Sequence, residues 1–403
     1  MNLLYFVPFW PHRYTPFLFR EVAWMKGRGH RVAVVSLRVW ADGYQNVVAH
    51  GLTDVPVLQV RYPRGGDRAL AADTVSLVGG GLRGRPPKPL ARMRAELGAR
   101  QAAHEWVWAK KVSAFARRHG ADAVDAHWMS EAAAAARTLK QTDGVPYTVT
   151  SHGNDLDTPS LAALVGDAAG VFPIARHMAR ELTARLGGPP AGDTVRIRPH
   201  GIPAAVVAAQ PVPQAADRLT VAMTGRIDPE KRQTDLVEAV GLLAGEFPAL
   251  RLLLIGGGTL EPALRRRADE LGLADRLTIT GGLPWEQVMA RVREAAVYVQ
   301  TSEREGFPLG PLEAASQGLP LVLSRIGAHE DIVRPGVNGF DYPAGDVPAL
   351  AAALRKLLAD VELRRAMGAG ALAHIRANYV FENLMPRMEK MFEAVAAGRP
   401  LPA

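Results

Sequence analysis

The chain has 403 residues, of which 48% are hydrophobic and 22% charged, a composition typical of a globular protein and sufficient for two domains of about 200 residues each. Cysteine is absent, which excludes disulfides, thiolate metal sites and thiol nucleophiles. The net charge of +8 suits anionic partners such as nucleotide diphosphates, nucleic acid or an anionic membrane face, and does not choose between them.

No apolar run approaches the roughly 20 residues that a membrane-spanning helix requires. Residues 1–9 enter strand-like sequence without a charged leader or a cleavage site. We therefore expect a soluble protein of the cytoplasm, and contact with the inner face of the membrane stays open.

Apolar runs alternate with helical patterns through the first half of the chain. Strands are expected at 2–7, 31–36, 123–127 and 145–150, and helices over 17–28 and 131–141. This alternation predicts β-α-β units and a parallel sheet covered on both faces.

Two basic or aromatic stretches of the first half have no clear period. The loop over 8–17 includes His12 and Arg13 as candidate acceptor contacts, and its aromatic residues could stack on a sugar, enter a membrane face or fill a core. The segment 61–100 is rich in Gly, Pro and Arg, which favours a surface loop or a basic contact with an acceptor or membrane.

A polar segment follows the strand expected at 145–150. It contains His152 and the pair Asp155 and Asp157. Asp155 is a candidate acceptor contact. We do not interpret the Asp-x-Asp pattern as a metal site, because such matches are frequent by chance and capping of a helix near Pro159 explains one acid.

The alternation of strands and helices restarts after a linker at 201–217 that is rich in Pro and Ala. Strands are expected at 219–223, 251–255, 277–279, 297–299 and 320–323, with a helix over 234–247. Two such series predict two doubly wound domains, with ligands beyond the carboxyl ends of the strands.

Glycine and cations follow the first strand of the second series. Gly225 permits close approach of the backbone, and Arg226, Lys231 and Arg232 could neutralise a diphosphate. Later strands end at Gly256 and at Gly282 with Leu283, which suits either a nucleotide contact or a tight turn.

The strongest pattern covers 301–318, where a strand leads through a loop into a helix. Pro308 or Pro311 suits the first turn of that helix, whose amides then form a phosphate site. Glu305 precedes this anion site and Glu313 lies farther into the helix. Two separated carboxylates could therefore bind two separated hydroxyl groups.

The run Glu-Gly-Phe-Pro-Leu-Gly-Pro-Leu-Glu-Ala from Glu305 resembles the signature of the GT-B glycosyltransferases of family four. The segment from Gly225 to Lys231 is similar to that family's Gly-Arg-x-x-x-x-Lys-Gly, with Arg232 in place of the last glycine. This replacement either alters the turn or adds a third cation. The segment around His152 resembles the family's Thr-x-His-Gly.

The resemblance implies a role for each matched residue. Glu305 would accept hydrogen bonds from the donor sugar, Glu313 would bind ribose, and the backbone of residues 307–309 would hold the diphosphate. The implied catalytic residues are His152, Arg226, Lys231 and Glu305, and the implied donor-binding residues are Gly225, Gly256, Gly282, Leu283, Gly306, Phe307, Pro308, Leu309 and Glu313.

The resemblance also implies an α/β architecture in which two Rossmann-like domains face a central cleft. The expected divisions are an acceptor domain over 1–205, a nucleotide-sugar domain over 206–378, and a C-terminal helix over 379–403 that returns to the first domain. The expected activity is retaining transfer from a UDP or GDP sugar, by a metal-independent front-face mechanism without a cofactor. The acceptor is unidentified: a glycan or lipid precursor, or a small metabolite of antibiotic or secondary-metabolite biosynthesis.

Three other functions compete with glycosyl transfer. An epimerase or phosphorylase could use the same fold. A nicotinamide dehydrogenase would need Gly-x-Gly-x-x-Gly after its first strand, and residues 6–14 contain no glycine. A non-catalytic nucleic-acid or membrane-binding protein would suit the charge, but no basic-aromatic module is present, and we do not expect nucleic acid as a partner.

Overall fold

The structure is a computed structural model that describes residues 1–12, 15–37, 43–60, 99–153, 155–190, 192–217 and 219–402, with only the backbone for 99–108. Most of the basic segment 61–100 therefore lies outside the described residues. The chain divides into two compact units. One consists of Met1–Ile174, Ala179–Arg198 and Met385–Ala403, and the other of Ala175–Met178 and Pro199–Leu384.

The first unit contains a parallel sheet whose six described strands follow the order β3-β2-β1-β4-β5-β6. The strands are β1 Asn2–Val7, β2 Arg31–Ser36, β3 Val57–Gln59, β4 Ala123–His127, β5 Tyr147–Ser151 and β6 Gly170–Pro173. Strands β4, β5 and β6 are buried along their whole length, because helices cover both faces of a parallel sheet. The chain reverses direction across the sheet between β1 and β4, which marks the switch point for ligands.

Among the described residues, the helices that begin in the first half of the chain are Pro16–Gly27, Tyr44–Ala49, Ala99–His119, Glu131–Asp143, Leu161–Gly166 and Arg176–Arg185. The helix Glu131–Asp143 buries small alanines against the sheet, which allows close packing. It ends at Gly144, whose φ of 75° is the left-handed conformation that favours glycine after a helix.

The second unit contains a second parallel sheet, with six described strands in the order β12-β11-β10-β7-β8-β9. The strands are β7 Thr220–Thr224, β8 Arg251–Ile255, β9 Leu277–Ile279, β10 Val297–Gln300, β11 Leu321–Ser324 and β12 Gly339–Tyr342. The chain runs outward from β7 to β9 and then returns to β10 on the other side of β7. The loops that follow β7 and β10 therefore leave the sheet at its switch point.

The helices of the second half are Gln233–Leu243, Glu261–Glu270, Trp285–Val292, Leu309–Ser316, Val347–Ala359, Val361–Asn378 and Phe381–Ala396. Short 3₁₀ turns cover Ala204–Val206, Pro229–Lys231, Ala274–Arg276 and Gly327–His329. Asp346 caps the helix Val347–Ala359, and Asp360 caps the helix Val361–Asn378. Each carboxylate accepts a hydrogen bond from a backbone amide of the first turn at 2.9 Å.

The predicted alternation of strands and helices, and the two doubly wound parallel sheets that it implies, are confirmed. The prediction did not include β3, β6 or β12, which have only three or four residues each. In the described part of the chain, no helix is both long and apolar enough to cross a membrane.

Candidate functional site

Glycines join the loops that follow β7 and β8. A β-carbon on Gly256 would lie 2.0 Å from the carbonyl oxygen of Gly225, and one on Gly258 would lie 2.2 Å from that of Ile227. Two backbone hydrogen bonds of 3.0 Å, from Gly225 to Ile255 and from Ile227 to Gly257, hold the loops together. Glycine is needed at these positions because the two loops touch there. The contact between the loops explains the glycines without a nucleotide.

Lys231 and Glu305 are brought together at the switch point of the second sheet. The ammonium Nζ of Lys231 lies 2.5 Å from Oε1 of Glu305, and both side chains are mostly buried. The same oxygen accepts hydrogen bonds from Ser302 Oγ at 2.7 Å and Gln300 Nε2 at 3.1 Å. Three donors therefore fix the position of this carboxylate.

Two further hydrogen bonds connect the loops that carry this pair. Thr301 Oγ1 donates to the carbonyl of Lys231 at 2.6 Å, and the amide of Glu303 donates to the carbonyl of Glu230 at 3.0 Å. The distance between Lys231 and Glu305 is thus fixed by hydrogen bonds between their loops as well as by the attraction of the two charges.

Arg232 occupies the position where the resembling family has glycine. It adopts the left-handed conformation, with φ 51° and ψ 38°, so the turn is kept. Its guanidinium pairs with Asp235 at 2.8 Å and with Glu303 at 3.4 Å, and the hydrogen bond with Asp235 raises its pKa. This arginine is therefore held by carboxylates of its own surroundings.

Arg226 differs from Lys231 in its exposure. Its side chain is 64% exposed, and Nη1 lies 3.0 Å from Oδ2 of Asp228. A solvated guanidinium with one carboxylate partner retains donors for an anion. Besides Arg232, the loop after β7 therefore carries one mostly buried cation, Lys231, and one exposed cation, Arg226.

The helix Leu309–Ser316 begins directly after Pro308 and follows the loop from β10. Gly310 brings the start of this helix against the sheet, since a β-carbon there would lie 2.3 Å from Thr224 Oγ1 and Tyr298 OH. The ring of Phe307 packs instead between His200 and Tyr379, with centroid distances of 6.1 and 5.8 Å. The Phe307 side chain is thus used for packing. The backbone of residues 306–309 is the part of this segment that suits an anion.

Glu313 lies on this helix and is largely buried. Its Oε1 accepts a hydrogen bond from Trp285 Nε1 at 2.7 Å. Trp285 starts the helix Trp285–Val292, just after the loop that contains Gly282 and Leu283. The indole thus links the predicted ribose-binding acid to the predicted nucleotide loop.

Two buried polar residues of this region, Tyr298 and His329, were not predicted from the sequence. Tyr298 OH contacts Thr224 Oγ1 at 2.7 Å and Gln300 Oε1 at 2.9 Å, and burial raises the pKa of Tyr298. His329 Nδ1 lies 2.7 Å from the carbonyl of Ser324, so Nδ1 carries a hydrogen. Burial lowers the pKa of His329 to about 4, which makes the ring neutral at pH 7.

His152 follows β5 in the first unit and lies among aromatic rings. Its ring centroid is 5.1 Å from that of Phe17 and 4.3 Å from that of Trp128. Its Nε2 lies 2.9 Å from Nδ1 of His127, the last residue of β4. His127 was not predicted, because the sequence around it contains no motif that points to it.

Asp155 stabilises the loops after β4 and β5. Its carboxylate accepts the amides of His152 and Met129, at 3.1 and 2.9 Å, and Ser151 Oγ at 2.7 Å. Asp157 pairs with Arg185 instead. The predicted helix cap is wrong for both acids, since the next helix, Leu161–Gly166, has no side-chain cap.

The remaining acceptor candidates lie on the loop after β1. The ring centroid of His12 is 5.4 Å from that of Phe9. Arg13 lies outside the described residues, and the roles of both residues stay predictions.

Comparison with protein families identifies the second half of the chain. Residues 209–374 match the model described as glycosyl transferases group 1. The chain carries a glycosyl transferases group 1 domain. This domain contains Lys231, Glu305 and Glu313, and it follows His152 in the chain.

Curated relatives match part of the chain. The GDP-mannose-dependent alpha-(1-6)-phosphatidylinositol monomannoside mannosyltransferase of Mycobacterium tuberculosis (strain CDC 1551 / Oshkosh) is 27% identical over 255 residues, which cover 60% of this chain and 66% of that protein. The D-inositol 3-phosphate glycosyltransferase of Nocardia farcinica is 35% identical over 193 residues, or 46% and 42% of the two chains. The chain thus spans less than two thirds of the length of these relatives.

Solved structures match the whole fold. A glycosyltransferase of Rickettsia africae superposes with a TM-score of 0.74 at 12% identity, covering 98% of each chain. Anabaena HepE in complex with UDP and glucose gives 0.71 at 16% identity, covering 98% of this chain and 100% of that chain. The likeness shows the fold, and the predicted GT-B class is confirmed.

Proposed function

We propose that the protein transfers a sugar from a nucleoside diphosphate sugar to an acceptor hydroxyl, with retention at the anomeric carbon. The observation that carries this proposal is the Lys231–Glu305 pair at the switch point of the group 1 domain. It places a cation and a fixed carboxylate where open α/β sheets bind their ligands. The start of the helix Leu309–Ser316 lies on the same loop and adds an anion site.

The diphosphate is the group that the cations suit. Lys231 supplies a mostly buried ammonium and Arg226 an exposed guanidinium, and both lie on the loop after β7. In the reaction, negative charge grows on the leaving phosphate oxygen. Fixed positive groups at that point stabilise the transition state more than the bound substrate.

The sugar is the group that Glu305 suits. The described hydrogen bonds to this carboxylate all end on Oε1, which we infer leaves Oε2 to accept sugar hydroxyls. Because three donors hold the carboxylate, sugar binding requires little further ordering of the side chain. Glu313, oriented by Trp285, is suited to the ribose hydroxyls in the same way.

The proposed reaction takes place on one face of the sugar and needs no second carboxylate as nucleophile. The bond from the anomeric carbon to the phosphate oxygen breaks, and the acceptor oxygen bonds to that carbon on the same face. The acceptor's proton passes to the leaving phosphate oxygen, so atoms and charge balance without a metal or cofactor. His152 in the first unit orients the transferred sugar.

The names of the similar proteins support this donor class. The mycobacterial relative is described as GDP-mannose-dependent, and HepE was crystallised with UDP. We therefore propose a GDP or UDP sugar as the donor. A glycan precursor, a lipid precursor and a small metabolite are the acceptor classes to be tested.

Nucleotide binding is the first test of the proposal. UDP, GDP, ADP and dTDP are added separately to the protein, and the melting temperature is measured. A nucleotide at 100 times its Kd stabilises the folded state by about 2.7 kcal/mol, which raises the melting temperature. If none of the four nucleotides shifts the transition, the proposed donor site is wrong.

Turnover is the second test. Sugar nucleotides of the binding base are incubated with candidate acceptors, and NMR follows the anomeric configuration of the product. Glu305→Gln should lose most activity, whereas Glu303→Gln, on the same loop but paired with Arg232, should keep it. An inverted product would contradict retention, and an isomerised sugar formed without acceptor would favour the epimerase.

A further inference from the structure

His127 and His152 lie at the carboxyl ends of neighbouring parallel strands. The register pairs His127 of β4 with Thr150 of β5, so His152 follows two residues beyond that pair. The two imidazoles meet with Nδ1 of His127 2.9 Å from Nε2 of His152. Their rings are nearly parallel, at 24°, with a centroid distance of 5.1 Å.

His127 contacts an ionised carboxylate on its other side. Its ring is almost fully buried, and Nε2 lies 3.1 Å from Oδ2 of Asp125. This contact does not meet the geometry of a hydrogen bond, so the attraction is electrostatic. Burial alone would raise the pKa of Asp125, but the Arg198 guanidinium and His127 outweigh it and hold that pKa well below its ordinary value.

The Asp125 carboxylate is itself fixed within the sheet. Oδ2 accepts a hydrogen bond from Arg198 Nη1 at 2.8 Å, and Oδ1 accepts one from Thr148 Oγ1 at 2.8 Å. Arg198 also pairs with Glu21, which accepts a hydrogen bond from Tyr5 OH at 3.1 Å. The carboxylate that His127 meets therefore has little freedom to move.

This chain of contacts determines which nitrogen carries hydrogen. A ring nitrogen that faces a carboxylate is stabilised when it bears hydrogen, which puts the hydrogen of His127 on Nε2. In the neutral ring, Nδ1 is then an acceptor, so the hydrogen between the rings belongs to Nε2 of His152. Nδ1 of His152 is left as the acceptor nitrogen of that imidazole.

We infer that His127 is a positioning residue whose Nδ1 fixes His152 with hydrogen on Nε2 and acceptor character on Nδ1. The inference rests on the proposed function, in which His152 orients the transferred sugar. Phe17 and Trp128 flank the ring, which restricts rotation of the imidazole. The His152 imidazole therefore has a defined orientation toward the sugar.

Two amide variants separate this role from simple burial of charge. In His127→Asn, the amide lies near the position of Nδ1 and can still reach His152. In His127→Gln, it lies near the position of Nε2 and can still reach Asp125. If His127 acts through His152, the Asn variant keeps most activity and the Gln variant loses it.

The rate assay uses GDP-mannose and UDP-glucose, with release of the nucleoside diphosphate as the readout in the absence of acceptor. For the donor that the wild-type protein consumes, His127→Gln should lower kcat by on the order of 10- to 100-fold, with KM for the donor little changed. Equal rates for His127→Gln and the wild type would overturn the inference. So would a loss in His127→Asn that matches or exceeds the loss in His127→Gln.

A spectroscopic test does not depend on turnover. The full chain is labelled with ¹⁵N-histidine, and the His152 signals are assigned by their loss in His152→Gln. Hydrogen on Nε2 is expected in the wild type and in His127→Asn, and a mixture of tautomers in His127→Gln. Hydrogen on Nδ1 of His152 in the wild-type protein overturns the inference, even if both variants fail to fold. If neither sugar nucleotide is consumed, the proposed function fails while this test still decides the role of His127.

Discussion

The charged residues at the edge of the second sheet lie within recognisable sequence motifs, whereas the buried charged residues of the first unit lie outside any such motif. Lys231 and Glu305 belong to two loops, each with its own sequence motif, and they remain partly accessible. Glu21, Asp125 and Arg198 lie on three separate elements and are buried. The charged groups that are partly accessible can thus bind a ligand. The buried charged groups instead stabilise the fold and the histidine next to them.

Arg198→Met should have the largest effect, on stability. It leaves the carboxylates of Glu21 and Asp125 buried without their guanidinium, which costs about 3–5 kcal/mol. Urea unfolding measures the loss. The control Arg185→Met removes two exposed ion pairs, with Asp157 and Glu181, each worth about 0–1 kcal/mol. An equal loss of stability in both variants would contradict the distinction between buried and exposed charge.

Lys231→Met should have the largest effect on activity. Removing one group that stabilises charge in a transition state lowers the rate by about 10²–10³-fold. Steady-state turnover of the sugar nucleotide measures this loss. Lys26→Met, which removes an exposed pair with Asp54, should keep the wild-type rate. Retained activity in Lys231→Met would remove this lysine from the donor site.

Acidification should destabilise the second unit through His329. Burial holds the pKa of this ring at about 4, against about 6.5 in the unfolded chain. Between these values only the unfolded chain binds the proton, so the free energy of unfolding falls as pH falls below 6.5. The expected loss from pH 7 to pH 5 is about 2 kcal/mol, and it ends near pH 4.

The comparison with His329→Gln isolates this contribution, because the other titrating groups are shared. Unfolding free energies are measured for both proteins across pH 5 to 7. The wild type should show the steeper dependence on pH. Parallel curves would mean that His329 is not the group responsible.

The smallest expected effect is at Arg232. Arg232→Gly should be about 1 kcal/mol more stable than Arg232→Ala, because only glycine adopts a φ of 51° without steric cost. Both variants should turn over sugar nucleotide within about twofold of the wild type, as for other surface substitutions. A loss comparable with that of Lys231→Met would identify Arg232 as a third phosphate-binding cation.

The predictions that held best concern features encoded in a few consecutive residues, such as strands and the fold class that they imply. The runs at β1, β2, β7 and β8 are apolar and flanked by helical patterns, so their positions and the fold class followed. The strands β3, β6 and β12 were missed, although β9, which is as short as β3, was predicted. The family resemblance assigned Lys231 and Glu305 to one donor site, and their direct contact depends on the pairing of β7 with β10, which was not predicted.

Contacts between distant residues were beyond the reach of sequence patterns. Nothing around Trp285 indicates that its indole donates to Glu313, 28 positions away. Asp155 was predicted as an acceptor contact, and the geometry shows that its carboxylate also holds two loops together. His127 gains its significance only because parallel pairing of β4 with β5 brings it to His152.

The contact between the loops after β7 and β8 has an evolutionary consequence. One methyl group added at Gly256 or Gly258 would overlap a carbonyl oxygen of the facing loop, so these positions are closed to substitution. Arg226 and Asp228 extend from the same loop and meet no such barrier. Substitutions at Arg226 and Asp228 can therefore change the charge of this loop while its backbone stays the same.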